Sequence, residues 1–151
     1  MISTLMTGRV VAVDPSMALI DALRVMDSVG VRHLPVVENS RCVGLLAEVD
    51  LLRQLVTHGL ERPGAAARCT AGEVCRRPAP VVPVWTTRAT AAQVMRALGS
   101  DAVLVLDDGH IHGIVTTSDL AASLVESACA ASASAAELQR QVAEDLPETG
   151  S

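Results

Sequence analysis

Laid against itself at an offset of 69 residues, with no gap, the chain repeats itself: residues 5–56 match residues 74–125. The identities include Val13/Val82, Ala22/Ala91, Met26/Met95, Gly30/Gly99, Gly44/Gly113, Asp50/Asp119 and Leu55/Leu124. No other feature narrows the fold as much. Each unit, at about 50 residues, buries too little surface to stand alone, so the two copies are expected to fold against each other, with functional sites shared between them.

Within the first copy, Arg9–Val13 is β-rich and stops at the turn signal Asp14-Pro15. Apolar residues at Leu19, Ala22, Leu23, Val25, Met26 and Val29 have helical spacing and predict a helix over Ala18–Val29, closed by Gly30 in left-handed geometry. His33–Glu38 and Arg41–Ala47 are two strands around an Asn39-Ser40 turn, and a second helix covers Val49–Val56. The second copy gives a strand at Pro80–Val84, a helix at Ala89–Leu98 ending at Gly99, strands at Ala102–Leu106 and His110–Thr116, and a helix from about Ser118. The fold class is therefore α/β (α+β): two β-α-β-β-α units as a pseudo-two-fold pair, with a C-terminal helical extension. The units span residues 1–57 and 73–126. Between them, 58–72 reads as an exposed linker around Gly59, Pro63 and Gly64, and 127–151 as a C-terminal helix and acidic tail. Arg62, Arg68, Arg76 and Arg77, in and just after the linker, are either an anion-binding run or simply solvated, and a charge run in a linker favours the second.

Charge separates the body from the tail. Of the net −5, residues 126–151 carry −4, leaving the paired units nearly neutral. With no clustered basic face, nucleic acid is not an expected partner. No apolar run approaches the ~20 residues that span a bilayer, and Met1–Arg9 has no signal-peptide core, so a cytoplasmic protein is expected. Cys42, Cys69, Cys75 and Cys129 lack a C-x-x-C spacing, and the four histidines form no i, i+4 pair. A metal site from Cys69, Cys75, His110 and His112 is the weak alternative to reduced thiols, and no metal is expected.

Leu5-Met6-Thr7, Val11–Pro15, Ala22–Met26, Leu34-Pro35-Val36-Val37 and Gly44–Leu51 stand in an order that resembles the CBS domain, the cystathionine β-synthase type. The second copy ends in Gly113-Ile114-Val115-Thr116-Thr117-Ser118-Asp119-Leu120, which matches that family's Gly-x-x-Thr/Ser-x-x-Asp ending in full. Together the copies resemble a tandem CBS pair over about residues 3–126. The resemblance implies a regulatory module with two clefts between the repeats, adenosine-containing ligands, and dimerisation into a flat disc.

The ending also makes physical sense alone. A strand closing at Thr116 and a helix opening near Ser118 bring a hydroxyl, backbone N–H groups and the positive helix end together, which suits a phosphate. Asp119, one turn in, has the chemistry to accept from a ribose diol, and Gly113 allows close approach. The alternative is that Ser118 and Asp119 only cap a helix. In the first copy Asp50 recurs, but Ala47 replaces the hydroxyl and Glu48 adds charge beside it. Arg32 and His33 precede Leu34-Pro35, where related nucleotide-sensing pairs carry basic residues, whereas the second copy has Asp101 and Ala102 there. Arg32 and His33 are either phosphate ligands or polar residues that simply face water beside an edge strand. Val13 and Val82, matched in the first strands, complete the expected ligand-binding set with Asp119, Thr116, Ser118, Gly113, Asp50, Arg32 and His33. Trp85, the lone tryptophan, follows the strand where such families place the adenine, with loop packing as its alternative.

Leu124, Ala128, Ala131, Ala135, Leu138 and Val142 make a heptad-like stripe in a helix expected over Glu126–Leu146. No catalytic constellation is present, so the chain is not expected to be an enzyme. The leading reading is a ligand sensor that binds an adenine nucleotide (AMP, ADP or ATP) as a regulatory ligand, with no required cofactor, and signals to an unidentified effector protein as a homodimer. The competing reading is a ligand-free dimeric interaction module with eroded sites.

Overall fold

The computed structural model describes residues 10–62, 64 and 68–130. The first repeat contains α1 (Leu19–Val29), β1 (His33–Glu38), β2 (Arg41–Ala47) and α2 (Glu48–Glu61). A short α3 (Ala71–Val74) precedes the second repeat, with β3 (Val81–Pro83), α4 (Arg88–Leu98), β4 (Ala102–Asp107) and β5 (His110–Thr116). A last helix, α5, runs from residue 117 through 130. The stripe expected beyond 130 lies outside the described residues.

The local signals act where expected. Gly30 and Gly99 close α1 and α4 at φ 78° and 62°, a conformation that costs glycine little. Asn39-Ser40 and Asp108-Gly109 have positive φ at both turn positions, the geometry that reverses a twisted hairpin. Both hairpins carry an irregularity at the same repeat position: Val36 pairs with Gly44 but Val37 with Cys42, and Val105 pairs with Gly113 but Leu106 with Ile111. One extra residue in β2 and one in β5 are thus accommodated as bulges.

In the second repeat β3 adds in parallel to β4, giving the order β3-β4-β5. The strand expected at Arg9–Val13 is instead a single parallel bridge, Val13 to Val36, and β1-β2 remain a two-stranded sheet among the described residues. Among the described residues its backbone pairing consists of Val13 N–H donating to Pro35 O and Val13 O accepting from Val37 N–H, each at 2.9 Å. The second helix is longer than expected, running to Glu61. Gly59 does not stop it, since it lies in open space within a continuing helix.

The end of the expected linker, from Cys69 to Gly72, is not exposed as expected but packed on the first repeat, as is the segment that follows it. Leu19 N–H donates to Cys69 O, Ala71 N–H to Met17 O and Gly72 N–H to Pro15 O, at 3.1, 2.8 and 2.9 Å. Arg76 exchanges both backbone bonds with Leu45, its N–H donating at 2.9 Å and its carbonyl accepting at 3.1 Å. Ala71 is fully buried, and Cys69 and Cys75 join the first repeat's core of Leu19, Met26, Leu34, Val36 and Leu51. A second core forms around Val82, Met95, Val103, Val105 and Val115. A third joins the halves: Leu45 of β2 packs with Ala102, Leu104 and Ile114. Each half thus has a small core of its own and buries further apolar surface against the other, as expected for units this small.

Candidate functional site

Because the sheets meet through Leu45 and Ile114, the α1–β1 corner of the first repeat faces the β5–α5 corner of the second. A cleft of about 360 Å³ opens there, lined by Gly30–His33 on one side and by Asp101, Ile114 and Thr116–Asp119 on the other. It brings together Arg32, His33, Thr116, Ser118 and Asp119 of the expected set.

At its floor, Thr116 is the N-cap of α5. The Thr116 N–H donates to Asp119 Oδ2 at 2.9 Å, and the Asp119 N–H donates to Thr116 Oγ1 at 3.2 Å, a reciprocal capping box with Asp in the usual Glu position. Capping is therefore real, but through Thr116 rather than Ser118. Thr117 ties the corner down: its N–H and hydroxyl donate to Asp101 O at 2.8 and 3.1 Å. The matching bond in the first repeat is Glu48 N–H to Arg32 O, also 2.8 Å. Ser118 is exposed on the cleft, and among the described residues its N–H and hydroxyl have no hydrogen-bond partner, so a donor pair stands at the positive end of α5.

Across the cleft, His33 Nε2 lies 2.9 Å from Asp101 Oδ1, a bond between the repeats. The His33 side chain is only 9 % exposed and Asp101 59 %, so the imidazole is held inside while the carboxylate faces solvent. Arg32 is exposed and, among the described residues, is the one guanidinium on the lining. Asp101, recognised in the sequence only as the acidic counterpart of Arg32, lines the same cleft and pairs with His33, which the sequence did not indicate.

The remaining expected residues lie elsewhere. Val13 and Val82 are 5 % and 3 % exposed and belong to the two separate cores, off the cleft lining, because each is the point where its first strand pairs with the sheet. Gly113 is buried within β5, opposite Val105. Trp85 is 71 % exposed and borders a different hollow, with Val81–Val84 and Leu106–Gly109. Asp50 pairs with Arg53 at 3.7 Å and Arg76 at 3.6 Å, away from the open cleft. Ala47, at the N-cap of α2, offers no side-chain cap, and Glu48 and Asp50 both fall in the first turn, so that helix end already carries its own negative charge. Among the described residues no group of three or more His, Cys, Asp or Glu is placed to hold a metal ion. No helix among them is long and apolar enough to cross a membrane.

Duplicated β-α-β-β-α units, joined by a shared core with a cleft at their corners, define a paired α+β module. The chain belongs to the CBS domain family, which it matches at residues 2–57 and again at 71–126. A comparison with curated proteins finds no match. Among solved structures, a conserved protein from Pyrococcus horikoshii is similar at 25 % identity and TM-score 0.69, over 81 % of this chain and 89 % of that one. CBSX2, solved in complex with AMP, is 24 % identical with TM-score 0.66, over 83 % and 96 %. The CBS domain pair of protein MJ0100, solved with 5′-methylthioadenosine and S-adenosyl-L-methionine, is 18 % identical with TM-score 0.70, over 83 % and 96 %.

Proposed function

We propose that the chain is a regulatory sensor that binds an adenosine-containing nucleotide of the AMP or ATP type in the cleft between its repeats and passes the event to an effector protein. The observation that carries this reading is the convergence of Arg32 and His33 with the N-terminus of α5 in one open cleft. Arg32 and the Ser118 donors are suited to a phosphate, and the Asp119 oxygen not engaged by Thr116 to a ribose hydroxyl. That neighbours of the same fold were solved with AMP and with adenosyl compounds agrees with it.

A route for the signal follows from the His33–Asp101 bond. An anionic ligand competes with Asp101 for His33, and exchanging a bond between repeats for a bond to ligand changes how the repeats are held. The ligand thereby prefers one arrangement over the other, as any conformational signal requires. Catalysis is not part of the proposal, and neither is a required cofactor; the site of action is the cytoplasm. The expected boundaries, 1–57, 58–72, 73–126 and 127–151, are kept as the functional division.

A homodimer is also proposed. Val49, Leu52, Val56 and Leu60 are all exposed along α2, as are Leu124 and Val125 on α5, apolar side chains that a second copy would cover. That surface also favours the second reading, a ligand-free interaction module. The two are separated by a thermal-shift screen of AMP, ADP, ATP, NAD and S-adenosylmethionine. A rise in melting temperature with an adenine nucleotide supports the sensor, and no shift or heat with any of the five at millimolar concentration supports the interaction module.

A further inference from the structure

The repeat's own symmetry generates a second cleft. Shifting the lining of the open cleft by 69 residues places Ala47, Glu48 and Asp50 on one wall and Gly99 and Ser100 on the other. One side chain, Arg76, stands between those two walls. Arg76 NH1 donates to Leu98 O at 3.3 Å, while its Nε lies 3.6 Å from Asp50 Oδ2. A Cβ built on Gly99 would lie 4.0 Å from the same NH1. The guanidinium thus reaches from the acidic wall of the first repeat to the α4 carboxyl end of the second.

We infer that Arg76 is an internal occupant of the second cleft and limits the pair to one ligand site. The inference rests on the proposed reading of the first cleft for what that one ligand is. Three features make Arg76 suited to the place. Its backbone is pinned in both directions to Leu45, so the side chain leaves from a fixed root. It stands between two smaller hollows, of about 340 Å³ beside Asp50 and Glu73 and about 170 Å³ beside Leu98 and Ser100, and lines both. Its charge also matches the wall: with Glu48 and Asp50 in the first turn of α2 and no hydroxyl at Ala47, the position attracts a cation and repels a phosphate. The first cleft has the opposite character, with Arg32 and unengaged donors at a helix N-terminus.

The test combines ligand counting with chemical rescue. Arg76→Ala retains the backbone bonds to Leu45, and Arg76→Gln supplies a second variant of nearly native size should the first fold poorly. Calorimetry with adenosine, chosen because the vacated acidic cleft disfavours phosphate, is expected to give one site per chain for the wild type and two for the variants. Low-millimolar ethylguanidinium is expected to raise the melting temperature of Arg76→Ala by about 2 °C, to leave the wild type unmoved, and to do nothing for Arg76→Ala with Asp50→Asn. Equal responses of wild type and Arg76→Ala, or variants that still bind a single adenosine, overturn the inference. A wild type that binds no adenosine or AMP overturns the reading of the first cleft only, because the rescue decides Arg76 without a nucleotide.

Discussion

Asp119→Ala removes the carboxylate that closes the cap on Thr116 and, on the proposed reading, an acceptor for the ribose. The first loss can be sized. Thr116 Oγ1 keeps its bond from the N–H of residue 119, but Thr116 N–H loses its 2.9 Å acceptor, and losing one such part-buried hydrogen bond to a carboxylate costs about 1 kcal/mol. In a folded body of this size, 1 kcal/mol corresponds to about 3–5 °C in Tm. Asp119→Asn keeps a carbonyl for Thr116 and loses only the charge near the helix end, about 0.5 kcal/mol. Differential scanning calorimetry should therefore rank wild type, Asn and Ala in that order of Tm. With AMP at ten times its dissociation constant, the wild type gains about 1.4 kcal/mol, and both variants should lose most of this gain. If Asp119→Ala melts with the wild type, the capping argument is wrong; if it keeps the full AMP shift, the ribose role is wrong.

Gly44→Ala places a Cβ 2.5 Å from Cys75 Sγ and 2.8 Å from Arg76 O; since backbone cannot swing aside, urea unfolding should show a loss of about 2–3 kcal/mol. Asp101→Asn weakens a solvent-facing bond to His33, so stability should fall by less than about 1 kcal/mol, while AMP affinity, read by calorimetry, should rise as a negative charge leaves the cleft; a fall would contradict the competition proposed for His33. Burial holds the Cys42 thiol above its ordinary range, so its thiolate is scarce below pH 9 and iodoacetamide should label exposed Cys129 first, with Cys42 gaining rate only as pH rises. By the same sign, Cys42 keeps its proton more tightly folded than unfolded, so its contribution to stability is complete in neutral solution and is lost at alkaline pH. Light scattering at tens of micromolar should give the mass of a dimer, and a monomeric mass would remove the role proposed for the α2 stripe.

What was legible in the sequence is what local chemistry decides. Gly30, Gly99, Asn39-Ser40 and Asp108-Gly109 could be read because each backbone turn demands a positive φ that few residues tolerate. The strand at Arg9–Val13 was over-read, since β-rich composition does not report how many partners a strand will find, and Val13 finds one bridge. The docking of residues 69–76 onto the first repeat was hidden because Cys69, Ala71 and Arg76 meet Leu19, Met17 and Leu45 across long stretches of chain. The cleft was half legible. Its motif, Thr116 to Asp119, is local, whereas the His33–Asp101 and Asp50–Arg76 pairs exist only through the packing of one repeat on the other.

The central claim is that one nucleotide sits between Arg32-His33 and Thr116–Asp119. An AMP titration of the isotope-labelled protein, followed through its backbone amide resonances, addresses it residue by residue. The account predicts that Arg32, His33, Asp101 and Thr116–Asp119 shift together on one saturable curve, while Trp85 and the Asp107–Gly109 turn stay still. Shifts confined to Trp85 and that turn, or none at saturating AMP, would contradict it.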